Sequence, residues 1–282
     1  DLHLSIRRQR QMCIGDRLNT SRSLFLGFLL FYAFTGYYFT YILEIFHNDA
    51  LSRTALAFFT TFGRDPHLAA IGFVWQPFPS FAQIPFLILL KPFGLMLMSG
   101  PLVTSLFGAL STVIIYKIGQ LIVNEPKNIL PLLISIFFGL NPLIILYSAI
   151  GTSEMIFMAC LVLSSFFLVK YFYSQKQSDI LMASSAIAFS FWSRYEALPA
   201  FAGSILIIVL YLIFARSNLR KIESTLLQYT LPFIYSVGLW ILANWLIMKD
   251  PFYFINSPYS NASFTTSFKS TPGLLELSLI HI

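Results

Sequence analysis

Long apolar runs broken by short polar stretches set the reading of this chain. The first covers Ser23 to Phe46. It holds Leu, Phe, Tyr and small residues with one charge, Glu44, and breaks into His47-Asn48-Asp49. A run of that length spans a bilayer as a helix. Further apolar segments lie at 80–98, 102–123, 129–148, 154–173, 180–193, 197–215 and 226–248. The pattern predicts an all-α fold, a polytopic transmembrane helical bundle of about eight apolar segments. A β-barrel would instead alternate apolar and polar residues over segments of about ten. Lys91-Pro92 interrupts the second segment, and Asn141-Pro142 breaks the helix of the fourth.

The longest internal hydrophilic region is 47–79. Within it Leu51, Ala55, Phe58, Phe59 and Phe62 recur at helical spacing, with Asp49, Ser52, Arg53 and Thr60 between them. This predicts an amphipathic juxtamembrane helix lying in the interface plane of the first extracytoplasmic loop. Gly63-Arg64-Asp65-Pro66 ends it. Trp75, Phe78 and Phe81 mark re-entry at the headgroup level, where aromatic rings concentrate.

Composition agrees with a membrane protein. Only 11% of residues are charged and 57% are hydrophobic, against roughly 25% charged in soluble domains. The net charge of +6 does not point to nucleic acid, because Arg7, Arg8, Arg10, Arg17 and Arg22 all precede the first span. They make residues 1–22 a basic cytoplasmic tail under the positive-inside rule. The length of the run and the lack of a small-residue cleavage site argue against a signal peptide. Cys13 and Cys160 suggest neither a disulfide framework nor a zinc site.

The domain reading is therefore a tail at 1–22, a transmembrane domain at 23–248 and a polar stretch at 249–282. The final Leu277-Ser278-Leu279-Ile280-His281-Ile282 has no evident structural logic, and the expectation is a C-terminally truncated frame.

Topology contains a conflict. Lys117 with Lys127, Lys170 with Lys176, and Arg216, Arg220 with Lys221 belong in the cytoplasm by charge. Strict alternation puts them outside. The conflict vanishes if one early segment, with the one holding Lys91-Pro92 the first candidate, does not change sides or hides a further crossing.

Three polar clusters stand out in so apolar a chain. One is Asp49 with Arg53 a helical turn later. Another is Gly63-Arg64-Asp65-Pro66-His67, leading to Trp75-Gln76-Pro77. The third combines Ser153-Glu154 with Trp192-Ser193-Arg194-Tyr195-Glu196. A charge at the centre of a membrane helix costs about 2.5–3.5 kcal/mol. Arg194 and Glu196 therefore either pair or line a cavity. Plainer roles stand beside the chemical ones: Asp49 as a helix cap, Arg64-Asp65 as a turn ion pair, His67 as a loop residue, Glu154 as a cap, and Arg194-Glu196 as a structural pair.

Over roughly residues 24–215 the chain resembles integral-membrane glycosyltransferases of the GT-C superfamily, of the dolichyl-phosphate-mannose mannosyltransferase (family 39) type. Four features carry the resemblance. They are Asn48-Asp49 directly after the first span, the juxtamembrane helix with its Arg-Asp-Pro-His and Trp-Gln-Pro-Phe-Pro loop, Asn141-Pro142 followed by Gly151-Thr152-Ser153-Glu154, and Ser193-Arg194-Tyr195-Glu196-Ala197. Many members carry two adjacent acids in the first loop, where this chain has one.

The resemblance implies inverting, single-displacement transfer of a mannose-like sugar from a polyprenyl-phosphate carrier to an extracytoplasmic hydroxyl. The leaving phosphate is a weak base, so one carboxylate suffices as general base. Hydrolytic glycosidases need a second carboxyl. Asp49 is the expected base. An arginine fork suits the phosphate, and Arg64 or Arg194 is expected to supply it. Arg53, Asp65, His67, Glu154 and Glu196 complete the expected binding set. No metal ligand is assigned, and a divalent cation is left open.

The implied partners are a polyprenyl-phosphate-linked sugar, the lipid bilayer and an acceptor that is a protein, a lipid or a glycan, with no nucleic acid. The implied location is the plasma (inner) membrane, with an extracytoplasmic site. Two other functions compete. One is a secondary transporter with a midplane site. The other is a non-catalytic membrane scaffold of the same fold.

Overall fold

Helices form wherever an apolar run is uninterrupted, because in hydrocarbon every backbone polar group must be met within its own segment. The structure is a computed structural model that describes residues 2–123, 125, 128–260 and 263, with side chains from Asn19 onward. The side chains of the basic tail before Asn19, together with Lys127, Asn261, Ala262 and the final six residues, lie outside the described residues. Among those described there is no strand.

In chain order the helices are α1 Leu2–Tyr37, α2 Asn48–Phe62, α3 Phe78–Leu90, α4 Ser99–Val123, α5 Leu130–Gly139, α6 Pro142–Ala149, α7 Ser153–Ser174, α8 Gln177–Phe191, α9 Ala197–Phe214, α10 Leu219–Met248 and the short α11 Tyr253–Asn256. A wider π-turn, Tyr38–Ile42, extends α1.

Among the described residues five helical stretches are long and apolar enough to cross a bilayer: Asn19–Ile42, Met96–Val123, α7, α9 and α10. Counting the bent pair α5–α6 as one span makes six. This is the architecture of a multi-pass helical membrane protein. Large apolar side chains cover its outside, with Phe214 83% and Phe137 75% exposed, as expected where lipid replaces water.

The expected count of eight is not reached among the described residues. The 180–193 segment is α8, with 15 residues and a length of about 22 Å. The 80–98 segment is α3, with 13 residues, followed by two short 3₁₀ turns around a left-handed Gly94. The stretch folds back on itself. At its start the Phe78 N–H donates to the Trp192 carbonyl. At its end Gly100 packs on Gly151. Both partners lie on turns at the same end of the bundle, so the stretch leaves and returns there. With α8 counted as a short crossing, this return removes the topology conflict in the charge pattern.

Helix α4 is central. It packs along α1, α5, α6 and α7, while α7 pairs with α8 and α8 with α10. Two apolar clusters result. One joins α1, α4, α6 and the start of α7 around Tyr32. The other joins α7 to α10 around Tyr229 and Trp240, and it takes in Ile71 and Phe73 from the 47–79 region. Phe73 stacks on Trp240 with ring centroids 5.4 Å apart, which pins that region to the bundle end.

The chain bends by 58° between α5 and α6. Pro142 cannot donate a backbone hydrogen bond, and Asn141 caps the new helix by accepting the Leu143 N–H. The Gly139 carbonyl at the break is met by the Tyr32 hydroxyl at 2.7 Å.

Candidate functional site

The first wall of the site is the start of α2. His47 is extended, and its Nδ1 accepts the Asp49 N–H at 3.2 Å. His47 therefore caps the helix, and Asp49 does not. Asp49 sits in the first turn, where the helix dipole favours a carboxylate. Its Oδ1 lies 3.5 Å from Nε of Arg53. Arg53 is 4% exposed. Its Nη1 donates to the Gln76 carbonyl at 2.6 Å, which ties α2 to the loop before α3. The same loop is held from the other side, where the Tyr195 hydroxyl donates to the Val74 carbonyl at 2.9 Å.

The second wall is the start of α7. Gly151 adopts φ +81°, a conformation open to glycine and strained for other residues. It also lets the turn approach Gly100 closely. Thr152 is the N-cap residue, and Glu154 falls in the first turn.

The third wall is the turn between α8 and α9. From it Arg194 reaches Oε1 of Glu154 at 2.5 Å, the Ser153 hydroxyl at 3.1 Å and Oε1 of Glu196 at 2.7 Å.

These walls enclose an open cavity of about 530 Å³. It is lined by Asp49, Arg53, Trp75, Gln76, Ser153, Glu154, Ser193, Arg194, Tyr195, Glu196 and Pro199. The volume lies within the ~300–1,000 Å³ range of small-molecule sites. Three carboxylates face two guanidiniums in this lining, which leaves one negative charge.

The two arginines differ electrostatically. Burial pushes the Arg53 pKa down, Asp49 only partly offsets this, and the nearby Arg194 charge lowers it further. Burial also works against Arg194, but the Glu196 hydrogen bond and the charges of Glu154 and Glu196 outweigh it and raise its pKa. The Arg194 hydrogen bond in turn holds the Glu196 carboxyl below the usual glutamate range. Arg53 is thus an under-compensated buried cation, and Arg194 a neutralised one.

One oxygen each of Asp49, Glu154 and Glu196 faces a guanidinium. Among the described residues no three His, Cys, Asp or Glu side chains are grouped as metal ligands.

Five expected site residues from three separate stretches meet at this cavity: Asp49, Arg53, Glu154, Arg194 and Glu196. Arg64, Asp65 and His67 are not among its lining residues. They follow Gly63, whose extended backbone ends α2 and turns the chain away. Asp65 carries a 93% exposed side chain, and His67 Nδ1 lies 2.7 Å from the Asp65 carbonyl. The anticipated Arg64–Asp65 pair is replaced by this Asp65–His67 contact.

The lining also contains Trp75, Gln76, Ser153, Ser193, Tyr195 and Pro199, which were not among the expected site residues. All but Pro199 belong to the polar clusters of the sequence. Their signal was uncharged polarity or aromaticity, which is common in membrane helices. Pro199 had no signal.

No protein-family model, curated protein or solved structure matches the chain.

Proposed function

We propose that this chain is a membrane glycosyltransferase that moves a mannose-like sugar from a polyprenyl-phosphate carrier to an acceptor hydroxyl. One observation carries the reading. Asp49, Arg53, Glu154, Arg194 and Glu196, spread over about half the chain, line a single cavity at one end of an apolar bundle. A lipid-borne donor needs such a place, where a hydrocarbon chain stays in the bilayer and its phosphate head meets fixed charge.

In this reading Asp49 takes the proton of the acceptor hydroxyl as that oxygen bonds to the anomeric carbon. The carbon–oxygen bond to the phosphate breaks, and the electron pair leaves with the phosphate. Arg53 is the better phosphate partner, because a buried cation with one carboxylate at 3.5 Å gains more from an anion than one already holding two. Arg194 then acts as a clasp that orients Glu154 and Glu196. Arg64 has no part in the phosphate site.

Sidedness is read from charge. Arg22, Lys117, Lys170, Lys176, Arg216, Arg220 and Lys221 sit toward the end of the bundle opposite the cavity. The positive-inside rule makes that end cytoplasmic and the cavity extracytoplasmic, as in a plasma (inner) membrane enzyme. The helix α8 is read as a seventh, short crossing. The helices α2 and α3 are read as a juxtamembrane pair, with Phe59 55% exposed toward the interface and the Lys91 ammonium 3.6 Å over the Phe62 ring.

The transporter alternative draws less support. The break it would use has its free carbonyl met by Tyr32, and no residue of α5 or α6 lines the cavity.

The deciding experiment reconstitutes the full-length protein with radiolabelled polyprenyl-phosphate hexoses and follows label release. Transfer by wild type and its loss in Asp49→Asn, with normal membrane insertion, is the expected result. Equal transfer by Asp49→Asn removes Asp49 as base. Insertion without transfer from any carrier removes the enzyme reading and leaves the scaffold.

A further inference from the structure

Gln76 is 1% exposed, yet neither its amide nitrogen nor its amide oxygen has a hydrogen-bond partner. A buried amide left unmet is costly, and native structures meet nearly all such groups. The backbone at this residue is fixed, because Arg53 holds its carbonyl and Pro77 follows it. Two more unmet groups line the same cavity. Ser193 is 1% exposed with a free hydroxyl, and Glu154 has one oxygen on Arg194 and the other, Oε2, unpaired. Other buried unpaired groups, such as Ser80, Ser148 and Asn244, do not line it.

The chemistry of the three groups narrows the ligand. Together they offer two amide N–H donors, an amide oxygen, a hydroxyl that both donates and accepts, and a carboxylate oxygen. An anion would meet two oxygen acceptors. An ammonium would leave the amide donors unmet. Neighbouring hydroxyls, each a donor and an acceptor, satisfy all three groups. Trp75, also in the lining, adds an apolar ring face for the C–H side of a pyranose.

We infer that Gln76, with Ser193 and the free oxygen of Glu154, forms a subsite for the hydroxyls of a neutral hexose, and that Gln76 determines which hexose is accepted. That this hexose is the one transferred rests on the glycosyltransferase reading above. Sugar binding itself does not.

The test uses the full chain in lipid nanodiscs with free mannose, glucose and galactose and their monodeoxy analogues, read by saturation-transfer NMR and tryptophan fluorescence. At least one hexose binds. Removing the hydroxyl that meets Gln76 weakens binding by about tenfold or more, since a site built for a hydroxyl rejects the analogue lacking it. Gln76→Met keeps the side-chain length, removes the hydrogen bonds and abolishes that discrimination. Ser193→Ala, a smaller change, relaxes preference at a different hydroxyl.

Absence of hexose binding to wild type at millimolar concentration overturns the inference, as does wild-type binding that is indifferent to every deoxy position. Discrimination that survives Gln76→Met overturns the role of Gln76. Hexose binding without transfer from any lipid carrier sinks the transferase reading and leaves the subsite standing.

Discussion

Asp49 and Glu154 both occupy the first turn of a helix, yet they are held differently. Glu154 is locked on Arg194 at 2.5 Å, whereas Asp49 is 36% exposed and only 3.5 Å from Arg53. In the proposed mechanism the looser carboxylate is the base. Asp49→Asn is therefore expected to lower sugar transfer by roughly 10²-fold or more, in line with loss of a general base. Arg53→Gln should raise KM for the lipid-linked donor more than it lowers kcat for a given donor. Steady-state kinetics against donor concentration checks both.

Glu196 adds a pH dependence. Its folded pKa is depressed, so the stability it contributes is present above the ordinary glutamate range, about 4.3, and is lost as pH falls through the lower folded value. Thermal unfolding in detergent across pH 3–6 should show a fall that Glu196→Gln flattens.

The charged members of the site were legible because each charge in an apolar chain is expensive and must have a reason. Gln76 and Ser193 belong to the polar clusters of the sequence, but nothing in the sequence gives them a role. A glutamine or serine in a membrane protein usually finds a partner, and only the folded arrangement shows that these have none.

At the scale of elements, among the described residues five of the apolar runs are helices of full spanning length, the 129–148 run is a bent pair, and the 80–98 and 180–193 runs form shorter helices. Hydropathy cannot show a reversal of direction. The 80–98 stretch is apolar enough to enter a bilayer, but Pro92 and the left-handed Gly94 turn it back. In α8, buried Asp179 shortens the apolar length. It is held by Lys170 at 2.8 Å and Ser174 at 2.5 Å, a pairing across the α7–α8 turn that hydropathy alone does not reveal.

The Asn141-Pro142 break was legible from the proline. The hydroxyl that repairs it was not, because Tyr32 is more than a hundred residues away. Tyr32→Phe leaves the Gly139 carbonyl unmet and should destabilise the protein by about 1–3 kcal/mol, read as a lower unfolding midpoint with the helical content kept. Gly139→Ala is expected to be worse, because its methyl group would collide with the Phe28 ring.

For the whole molecule, the proposed reading, with α3 folding back and α8 crossing, brings charge and geometry into agreement. Arg22, Lys117, Lys170, Lys176, Arg216, Arg220 and Lys221 lie toward one end, and the cavity, where three carboxylates outnumber Arg53 and Arg194, lies at the other. Single cysteines at Asp65 and Arg220, placed in a background free of native cysteine, should react with impermeant maleimide from opposite sides of sealed vesicles. Labelling of both from the same side would break the arrangement of helices described here. Labelling of Asp65→Cys from the cytoplasm would keep that arrangement and remove the extracytoplasmic enzyme.

The bond from Phe78 to Trp192 also bears on biogenesis. Synthesis delivers the chain from its N-terminus, so Asp49, Arg53 and Gln76 leave the ribosome more than a hundred residues ahead of the turn that closes around them. Until that turn arrives, the α2–α3 pair waits at the membrane surface with a buried-type arginine and an orphan amide uncovered. A nascent protein halted after α4 thus carries Asp49 and a complete first span but no chamber, and this interval is when a chaperone or lipid headgroup would have most to protect.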